Sequence, residues 1–556
     1  MEIGNELRIL EESLSIDENI YFDNKTISTI KALYLTNGKD VYLKKDNGTQ
    51  ERIGSLEYWY RIKKFEPKKE LSIKKTKVNR LVSKEKCKCS NCGLCSNHKN
   101  STALLNLVVT NRCDLGCWYC FFYSGKSGFV YEPSLDLIER MILSVQKFNG
   151  YVPPVQITGG EPTLRKDLIE IVSKLKTLNT PHIQLNTNSV SIGIDFVEDR
   201  EKAIEKLKKY RDAGLNTIYT SFDGLSLDTN PKNYWEIPFA LMAYRYSGMS
   251  SIVLVPTILR TNLKDASSIV KFAAKNIDIV RGVNFQPVSF VGGALHEDER
   301  SKLRVTQSDI IEELGKIGLK MKDFYPVPSV ETLAEIIAKD KNHITFYNNE
   351  KCGMATYVFY DRDSKKFIPI THFVDVDGFL EKVNSLSSTY GKFKLLANTS
   401  PYIFKNFSLR KGLAKYLNRF IIEDELPSGE KLSNLINSII SKGDYESLGS
   451  FHYQTLFIGM MHFMDVYNYD VNRVIRCSIH YASPDEKVIP FCTYNVFPEI
   501  YRDEIMKRYS VGNFDKKLEK ELIEEEIKSS RRVSKIRNKI KSDEKLLSIV
   551  EETYKL

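Results

Sequence analysis

The feature that most constrains the fold is an alternation of short apolar runs with amphipathic stretches between about residue 104 and residue 318. The runs are apolar on both faces, as in buried parallel strands, and the stretches between them carry apolar residues at helical spacing. The six apolar runs are LLNLVVT (104–110), VQIT (155–158), IQLNTN (183–188), TIYTSFD (217–223), IVLVPTI (252–258) and GVNFQPV (282–288).

Six strand–helix units in succession predict a parallel sheet covered by helices. We therefore predict an α/β fold whose core, within residues 87–320, is a partial (β/α)6 version of the eight-unit barrel. The expected helices lie at 134–148, 167–177, 200–213, 264–275 and 307–318. Because functional groups in such sheets lie at the carboxyl ends of the strands, we expect the site there.

The cysteines are the second constraint, because seven of the ten fall within 34 residues. Cys113, Cys117 and Cys120 form a CxxxCxxC loop directly after the first predicted strand. Disulfides between such close neighbours would close very short loops, and no export signal precedes them, so metal ligation is favoured. A structural zinc site takes four ligands, whereas this loop supplies three, which favours iron with an open position.

A second motif, Gly159-Gly160-Glu161-Pro162-Thr163, follows the second predicted strand. Paired glycines let the backbone approach a ligand closely, and the Glu161 carboxylate can accept a hydrogen bond from an ammonium group. Polar residues at the ends of the later strands can bind ribose, carboxylate or substrate, or can serve as simple caps. They are Asn186, Asn188, Ser221, Asp223, Thr257 and Gln286.

The cysteine loop followed by GGEPT resembles the radical S-adenosylmethionine (SAM) superfamily. The resemblance implies that Cys113, Cys117 and Cys120 bind a [4Fe-4S] cluster, that SAM fills the fourth iron site, and that its reduction gives a 5′-deoxyadenosyl radical. It also implies which residues contact SAM. The adenine packs against Tyr119, the methionine amino group contacts Gly159, Gly160, Glu161 and Pro162, the ribose contacts Ser221 and Asp223, and Asn188 adds a contact although Ser189 replaces the glycine that often follows it.

Seven cysteines remain outside this loop, and they are Cys87, Cys89, Cys92, Cys95, Cys352, Cys477 and Cys492. The first four have CxCxxCxxC spacing, which offers up to four thiolates, and zinc is the alternative to an iron–sulfur cluster there. All seven together support one or two auxiliary iron–sulfur clusters, and two clusters would need one further ligand. The spacing leaves open which cysteines group together.

Three segments, residues 92–122, 281–293 and 461–495, are similar to archaeal tetraether lipid synthase, and the similarity extends from about residue 87 to about residue 505. This resemblance implies that the enzyme couples the terminal methyl carbons of isoprenoid chains on an archaeal diether phospholipid. It further implies an electron donor such as a ferredoxin and a peripheral position at the membrane surface. An auxiliary cluster that stores the first carbon radical during a second SAM cleavage is the corresponding hypothesis.

Two other classes of function stay open. One is a different radical SAM reaction with auxiliary clusters, such as peptide maturation or methyl transfer, although no segment resembles a cobalamin-binding domain. The other is a noncatalytic iron–sulfur electron carrier or a zinc-binding scaffold. The GGEPT motif and the open three-cysteine loop argue against a pure carrier, which has no use for a vacant iron.

Three further units are expected outside the barrel. Residues 1–86 resemble a small rubredoxin-like module but contain no cysteine, so its mononuclear iron should be missing. Residues 321–510 predict a C-terminal auxiliary-cluster and substrate domain, and residues 511–556 predict a charged helical tail. The tail places Val533, Ile536 and Ile540 on one helical face, which suits an exposed charged helix or a basic amphipathic helix on anionic headgroups.

Charge and hydropathy exclude several other classes of protein. The net charge of +10 is scattered along the chain and interleaved with acidic residues, so a nucleic-acid partner is not expected. No segment approaches the roughly 20 apolar residues of a membrane-spanning helix, and the first residues lack the features of a signal peptide. The sequence therefore predicts a soluble, cytoplasmic protein.

Overall fold

The structure is a computed structural model that describes seven ranges of the chain. They are residues 7–66, 98–122, 127–294, 299–330, 347–382, 418–442 and 455–556. The upstream cysteines at positions 87, 89, 92 and 95 lie outside the described residues.

The N-terminal module is a four-stranded antiparallel sheet with two helices. The Nζ of Lys45, a fully buried side chain, donates to the carbonyl of Ile16, to the carboxylate of Glu18 and to the carbonyl of Val466 at 3.0, 2.6 and 2.7 Å. A buried cation is tolerated where oxygens surround it, so Lys45 ties this module to the C-terminal region. The elements are β1 (Arg8–Ile16), α1 (Glu18–Asn24), β2 (Thr29–Thr36), β3 (Asp40–Lys45), β4 (Gln50–Ser55) and α2 (Leu56–Lys64).

The six predicted strands form one parallel row in the order β5-β6-β7-β8-β9-β11, which confirms the partial barrel. A short strand, β10, pairs with the end of β11. The strands are β5 (Leu104–Thr110), β6 (Val155–Gly159), β7 (Ile183–Thr187), β8 (Thr217–Ser221), β9 (Ile252–Val255), β10 (Thr257–Ile258) and β11 (Val280–Pro287).

The five predicted helices are present, and three more lie between the strands. The predicted ones are α3 (Leu135–Asn149), α4 (Leu168–Thr177), α6 (Arg200–Ala213), α8 (Ala266–Lys275) and α10 (Gln307–Leu314). The additional ones are α5 (Val190–Glu198), α7 (Ile237–Ser247) and α9 (Arg300–Leu303). Helices α5 and α7 are buried on most of their surface, so they lack the polar face that gives an amphipathic helix its sequence period.

The C-terminal region extends both edges of the barrel sheet. Strand β15 pairs in parallel with β11, and β16 pairs in parallel with β5, so the parallel row grows from six strands to eight. The region expected to be a C-terminal domain therefore shares the sheet of the barrel. Its elements are β12 (Tyr325–Pro326), β13 (Gly353–Asp361), β14 (Lys366–Pro369), α11 (Ile370–Phe373), α12 (Leu432–Lys442), β15 (Thr455–Met461), α13 (Val471–Ile475), β16 (Ile479–Ala482), β17 (Val488–Pro490), α14 (Phe491–Val496) and α15 (Glu504–Arg508).

The charged tail forms two helices, α16 (Lys516–Ser542) and α17 (Glu544–Tyr554). Its apolar residues Val533, Ile536 and Ile540 are buried in the same hydrophobic core as the barrel strands. The apolar face is covered by the barrel and is therefore not free to meet headgroups, whereas most charged residues of α16 are exposed, as expected for a charged helix. Across the described residues, no helix combines the length and apolarity needed to cross a membrane.

Truncation of the Ile540 side chain tests the docking of this tail. Ile540 is fully buried, whereas Ile527 on the same helix is 46% exposed. We expect Ile540→Ala to lower the free energy of unfolding by about 2–4 kcal/mol, since it leaves a cavity in the core. The matched Ile527→Ala variant should change it by less than about 0.5 kcal/mol. Urea unfolding of both variants checks this, and equal effects would contradict the docked position of the tail.

Candidate active site

A cavity of about 310 Å³ lies at the carboxyl ends of the barrel strands and collects most of the predicted site residues. Asp223 instead lines an adjacent cavity of about 390 Å³, with Tyr119 and Lys232. Glu161 and Pro162 are absent from the residues lining these two cavities. The predicted residues that line the first cavity are Cys113, Cys117, Tyr119, Cys120, Gly159, Gly160, Asn186, Asn188, Ser221, Thr257 and Gln286.

Cys120 lies close enough to Cys113 and to Cys117 to affect the pKa of both. Burial raises the pKa of Cys113 well above its ordinary value, and the nearby charges of Asp114, Glu161 and Cys120 add to this. Burial, with a smaller contribution from Cys120, also raises the pKa of Cys117 to about 11. A bound cation reverses this preference, because it stabilises the thiolate form of its ligands.

The described cysteines are free to act as metal ligands. All six described cysteines are free thiols. Within the described ranges, no three Cys, His, Asp or Glu side chains converge closely enough to hold one ion. A cluster does not need that convergence, because each thiolate binds a different iron atom. The described cysteines are therefore compatible with a cluster, and the preference for iron over zinc at the loop rests on its supply of three ligands instead of four.

The C-terminal helix α16 holds the cysteine loop from outside the barrel. The backbone N–H of Cys113 donates to the carboxylate of Glu526 at 3.0 Å. The neighbouring guanidinium of Arg112 donates to Glu132 at 2.7 Å and to the carbonyl of Leu522 at 3.4 Å. The tail therefore positions the loop, a role that the sequence pattern did not indicate.

Two glycines after β11 allow that loop to lie directly against the barrel. A Cβ on Gly292, whose φ is +57°, would lie 2.3 Å from the carbonyl oxygen of Cys120, and one on Gly293 would lie 2.2 Å from that of Trp118. The N–H of Gly293 donates to the Cys120 carbonyl at 3.1 Å. Only glycine fits this close approach, so the segment fixes the far side of the cysteine loop.

The glutamate of the GGEPT motif, Glu161, forms hydrogen bonds with neighbouring residues of the protein. Glu161 is fully buried, and its carboxylate accepts hydrogen bonds from the N–H of Thr163, the hydroxyl of Thr187 and the N–H of Asn188 at 3.0, 2.7 and 2.7 Å. Burial and the nearby Asp114 raise its pKa to about 7. These hydrogen bonds position the end of β7, and the second oxygen, which accepts only from the Asn188 N–H, keeps acceptor capacity for the ligand ammonium that the sequence predicts.

Asn188 reaches the cavity from a strained turn. Its side-chain amide donates to Asp114 at 2.7 Å. The next residue, Ser189, has φ +61°, a conformation that favours glycine. The Ser189 hydroxyl lies 2.6 Å from the hydroxyls of Thr220 and Tyr244, and these contacts offset the strain. The serine therefore keeps the geometry for which a glycine was expected.

Tyr119 is fixed by a buried ion pair between the two cavities. Its hydroxyl donates to the carboxylate of Asp223, which also pairs with Lys232 at 2.7 Å and accepts from the N–H of Thr257 at 2.8 Å. Lys232 lines both cavities, so it is a charged site residue that the motifs did not reveal. Asp223 thus orients the loop tyrosine rather than lying free at its strand end.

The structure groups Cys352, Cys477 and Cys492 at a second site. The charge of Cys492 and, to a smaller extent, that of Cys352 raise the pKa of Cys477, in addition to the larger effect of burial. Burial raises the pKa of Cys492 to about 11, and Cys352 again contributes. Three thiols therefore come together from positions 140 residues apart, between the loop before β13 and helix α14.

Two buried histidines lie beside this second site. The Nε2 of His98 is 2.9 Å from the Cys477 carbonyl oxygen and 3.1 Å from the Nε2 of His480. The Nδ1 of His480 is 2.9 Å from the hydroxyl of Thr102. Burial lowers the pKa of His98 to about 4 and that of His480 well below its ordinary value. Both rings are therefore neutral at pH 7.

These histidines predict a loss of stability in acid. The unfolded chain takes up a proton near pH 6.5, whereas folded His98 does so only near pH 4, so stability is full above pH 6.5 and falls as the pH drops. At pH 5 the cost for His98 is about 2 kcal/mol. Urea unfolding of the metal-free protein should show a smaller loss between pH 7.5 and pH 5 for His98→Gln than for the exposed control His372→Gln. An identical loss in both would contradict the neutral state of His98.

Five aromatic side chains, called here the aromatic wall, lie between the cysteine loop and the segments that carry Cys477 and Cys492. Phe121 and Phe122 follow directly after Cys120, and Phe463, Tyr481 and Phe491 come from the region of the second site. All five side chains line the 310 Å³ cavity. The rings of Phe463 and Phe491 stack at 4.1 Å, and those of Phe121 and Phe463 meet edge to face at 6.2 Å. The cavity therefore joins the three-cysteine loop to residues that flank Cys477 and Cys492.

Comparison with known proteins places this site among described families. Residues 107–273 match the model of the Radical SAM superfamily. The chain is 40% identical over 473 residues to the 7,8-dihydro-6-hydroxymethylpterin dimethyltransferase of Methanocaldococcus jannaschii, across 82% of this chain and 87% of that protein. Over 192 residues it is 32% identical to a Methanococcus vannielii protein described as "Probable GTP 3',8-cyclase", across 33% of this chain and 58% of that one.

The similarity to solved structures is weaker than the similarity to these relatives. The crystal structure of Streptococcus suis SuiB bound to the precursor peptide SuiA aligns with a TM-score of 0.29 and 16% identity. The alignment covers 40% of this chain and 46% of SuiB.

Proposed function

This chain belongs to the radical SAM superfamily and to the family of the M. jannaschii dimethyltransferase. We propose that it forms carbon–carbon bonds between isoprenoid chains of archaeal diether lipids, a proposal that rests on the site and not on the name of that relative. The single observation that carries the proposal is the aromatic wall between the cysteine loop and the second cysteine site. An apolar chain lying along these rings would pass both sites, whereas a highly charged substrate would lose its hydration there.

Membership of the superfamily implies a [4Fe-4S] cluster and SAM, which together supply a strong hydrogen-atom abstractor. Cys113, Cys117 and Cys120 would hold that cluster. An unactivated methyl group has no acidic hydrogen, so acid–base groups cannot remove it, and such an abstractor is needed. The proposed coupling removes one hydrogen atom from each of two methyl carbons and joins the two carbons, with one SAM consumed for each hydrogen.

The residues of the chain orient and shield this chemistry. Glu526, Gly292 and Gly293 hold the cysteine loop in place. Asp223 and Lys232 fix Tyr119 beside the cavity. The aromatic rings keep water away from the carbon that reacts, which prevents side reactions of an open radical. Cys352, Cys477 and Cys492 would hold an auxiliary iron–sulfur cluster at the far end of the wall.

Deuterium transfer tests the substrate directly. The reconstituted enzyme is incubated anaerobically with SAM, a reductant and a diether phospholipid whose terminal methyl groups are deuterated. We expect deuterium in 5′-deoxyadenosine and a coupled lipid in the mass spectrum, with about two deoxyadenosines formed per new bond, as the atom balance requires. Deoxyadenosine without deuterium, and no coupled lipid, would overturn the lipid assignment.

A second candidate is methyl transfer to a pterin, which is the activity in the name of the M. jannaschii relative. Identity of 40% across 87% of that protein favours it, and the cavity also offers side-chain amides from Asn186, Asn284 and Gln286 that suit a polar heterocycle. The same assay with 7,8-dihydro-6-hydroxymethylpterin decides between them. Methylated pterin without any reaction of the lipid would establish this candidate in place of the first.

A further inference from the structure

Arg473 is a buried cation beside the second cysteine site. It lies in helix α13, four residues before Cys477, and is only 7% exposed. Its guanidinium hydrogen-bonds to Cys352 and also lies close enough to Cys492 to interact with its charge. One terminal nitrogen donates to the carbonyl of His462. Its Nε is buried and has no hydrogen-bond partner in the described structure.

No carboxylate among the described residues forms an ion pair with Arg473. The nearby Asp470 accepts a hydrogen bond from Tyr34 at 2.6 Å and lies 3.5 Å from Lys351. Glu350 pairs with Lys63 at 3.2 Å and with Arg476 at 3.3 Å.

A guanidinium stays protonated in proteins, and a buried charge without a counter-charge is strongly unfavourable. Asp470 interacts with the charge of Arg473 but is shared with Lys351 and Tyr34, so thiolates at Cys352 and Cys492 are further groups that can balance the guanidinium. Cysteine binds iron as the thiolate, so a cluster at this site would place negative charge beside Arg473.

Positive charge and hydrogen bonds near the sulfurs of a cluster favour its reduced, more negative state. We propose that Arg473 raises the reduction potential of an iron–sulfur cluster held by Cys352, Cys477 and Cys492, so that this cluster is a weaker reductant than it would be without the guanidinium. The inference rests on the proposed function only for the presence of a cluster at this site. Arg473 is a positioning and tuning residue that acts through the thiolates.

The test measures a midpoint potential and needs no substrate. In the full-length protein, Cys113, Cys117 and Cys120 are all replaced by alanine to remove the radical-generating cluster, and the remaining iron–sulfur centres are reconstituted. The auxiliary signal is the one that disappears when Cys352→Ser is added. Its potential is then followed by electron paramagnetic resonance during an anaerobic redox titration.

We expect Arg473→Gln to shift this midpoint to a more negative potential. Arg473→Lys keeps the charge but loses the planar hydrogen-bond geometry, so its shift should have the same sign and be smaller. The matched control is Arg476→Gln, three residues away, because Arg476 pairs with Glu350. That variant should leave the midpoint unchanged.

An unchanged midpoint in Arg473→Gln, or a shift no larger than that of Arg476→Gln, would overturn the inference. If Arg473→Gln fails to take up iron while Arg473→Lys succeeds, the inference is supported, because the cation is then needed to hold the thiolates. If the parent protein shows no signal that Cys352→Ser removes, the auxiliary cluster of the proposed function is absent. That failure is distinct from an unchanged midpoint.

Discussion

Replacing Cys117 by alanine is expected to abolish the formation of 5′-deoxyadenosine from SAM, with a loss on the order of 10³-fold or more. The cysteine loop supplies three thiols, and with one removed only two remain to hold a cluster that must also leave one iron open. Within the described part of the chain, the other cysteines are Cys352, Cys477 and Cys492, which belong to the second site. Chromatographic measurement of deoxyadenosine under anaerobic, reducing conditions checks this.

The control for this variant is the metal-free protein. Because the Cys117 side chain is only partly buried and is replaced by a smaller one, thermal unfolding of the metal-free form should change little. The iron content should fall by about four atoms per chain, the size of one [4Fe-4S] cluster. Deoxyadenosine formed at the parent rate by Cys117→Ala would refute the role of this loop.

Replacing Cys352 by alanine is expected to have a different effect: SAM cleavage continues, but the coupled product is lost. Cys352 belongs to the second site, and the aromatic wall lies between that site and the cysteine loop. Loss of one ligand should therefore empty only the second site. Iron and sulfide counts, deoxyadenosine and product are measured on the same preparation, and the ratio of product to deoxyadenosine should fall toward zero.

The other two cysteines of the second site provide an internal control for this prediction. Cys477→Ala and Cys492→Ala should reproduce the effect of Cys352→Ala, because the three thiols lie together. Full coupling activity in any one of the three variants would contradict the role of an auxiliary cluster there. Loss of SAM cleavage in all three would instead indicate that the second site supports the fold of the first.

The barrel could be predicted from sequence because its signals are local. Each parallel strand is a short apolar run, such as residues 104–110, and the observed strand Leu104–Thr110 has the same bounds. The cysteine loop and the glycine motif follow their strands directly, so the topology of a parallel sheet was enough to bring them together. The predicted residues that line the cavity thus lie together at the carboxyl ends of the parallel strands.

The features that could not be predicted from sequence depend on contacts between residues that are far apart in the chain. The pairing of Cys113 with Glu526 spans 413 residues, and the hydrogen bond between Arg473 and Cys352 joins two segments that no shared motif connects. The buried helix α7 has no polar face, so its sequence does not show the alternation of apolar and polar residues by which a helix is recognised. The protein contacts of the Glu161 carboxylate could not be predicted either, because its partners Thr187 and Asn188 belong to a different strand end.

The position of β15 and β16 has a consequence for how the protein is made. Both strands come late in the chain, yet they flank the parallel row on opposite sides, and the helix that contacts Cys113 comes later still. A ribosome releasing the first 320 residues would expose an incomplete sheet with two open edges, a state prone to aggregation. Iron loading of the cysteine loop should therefore follow the synthesis of α16, whose Glu526 contacts the loop.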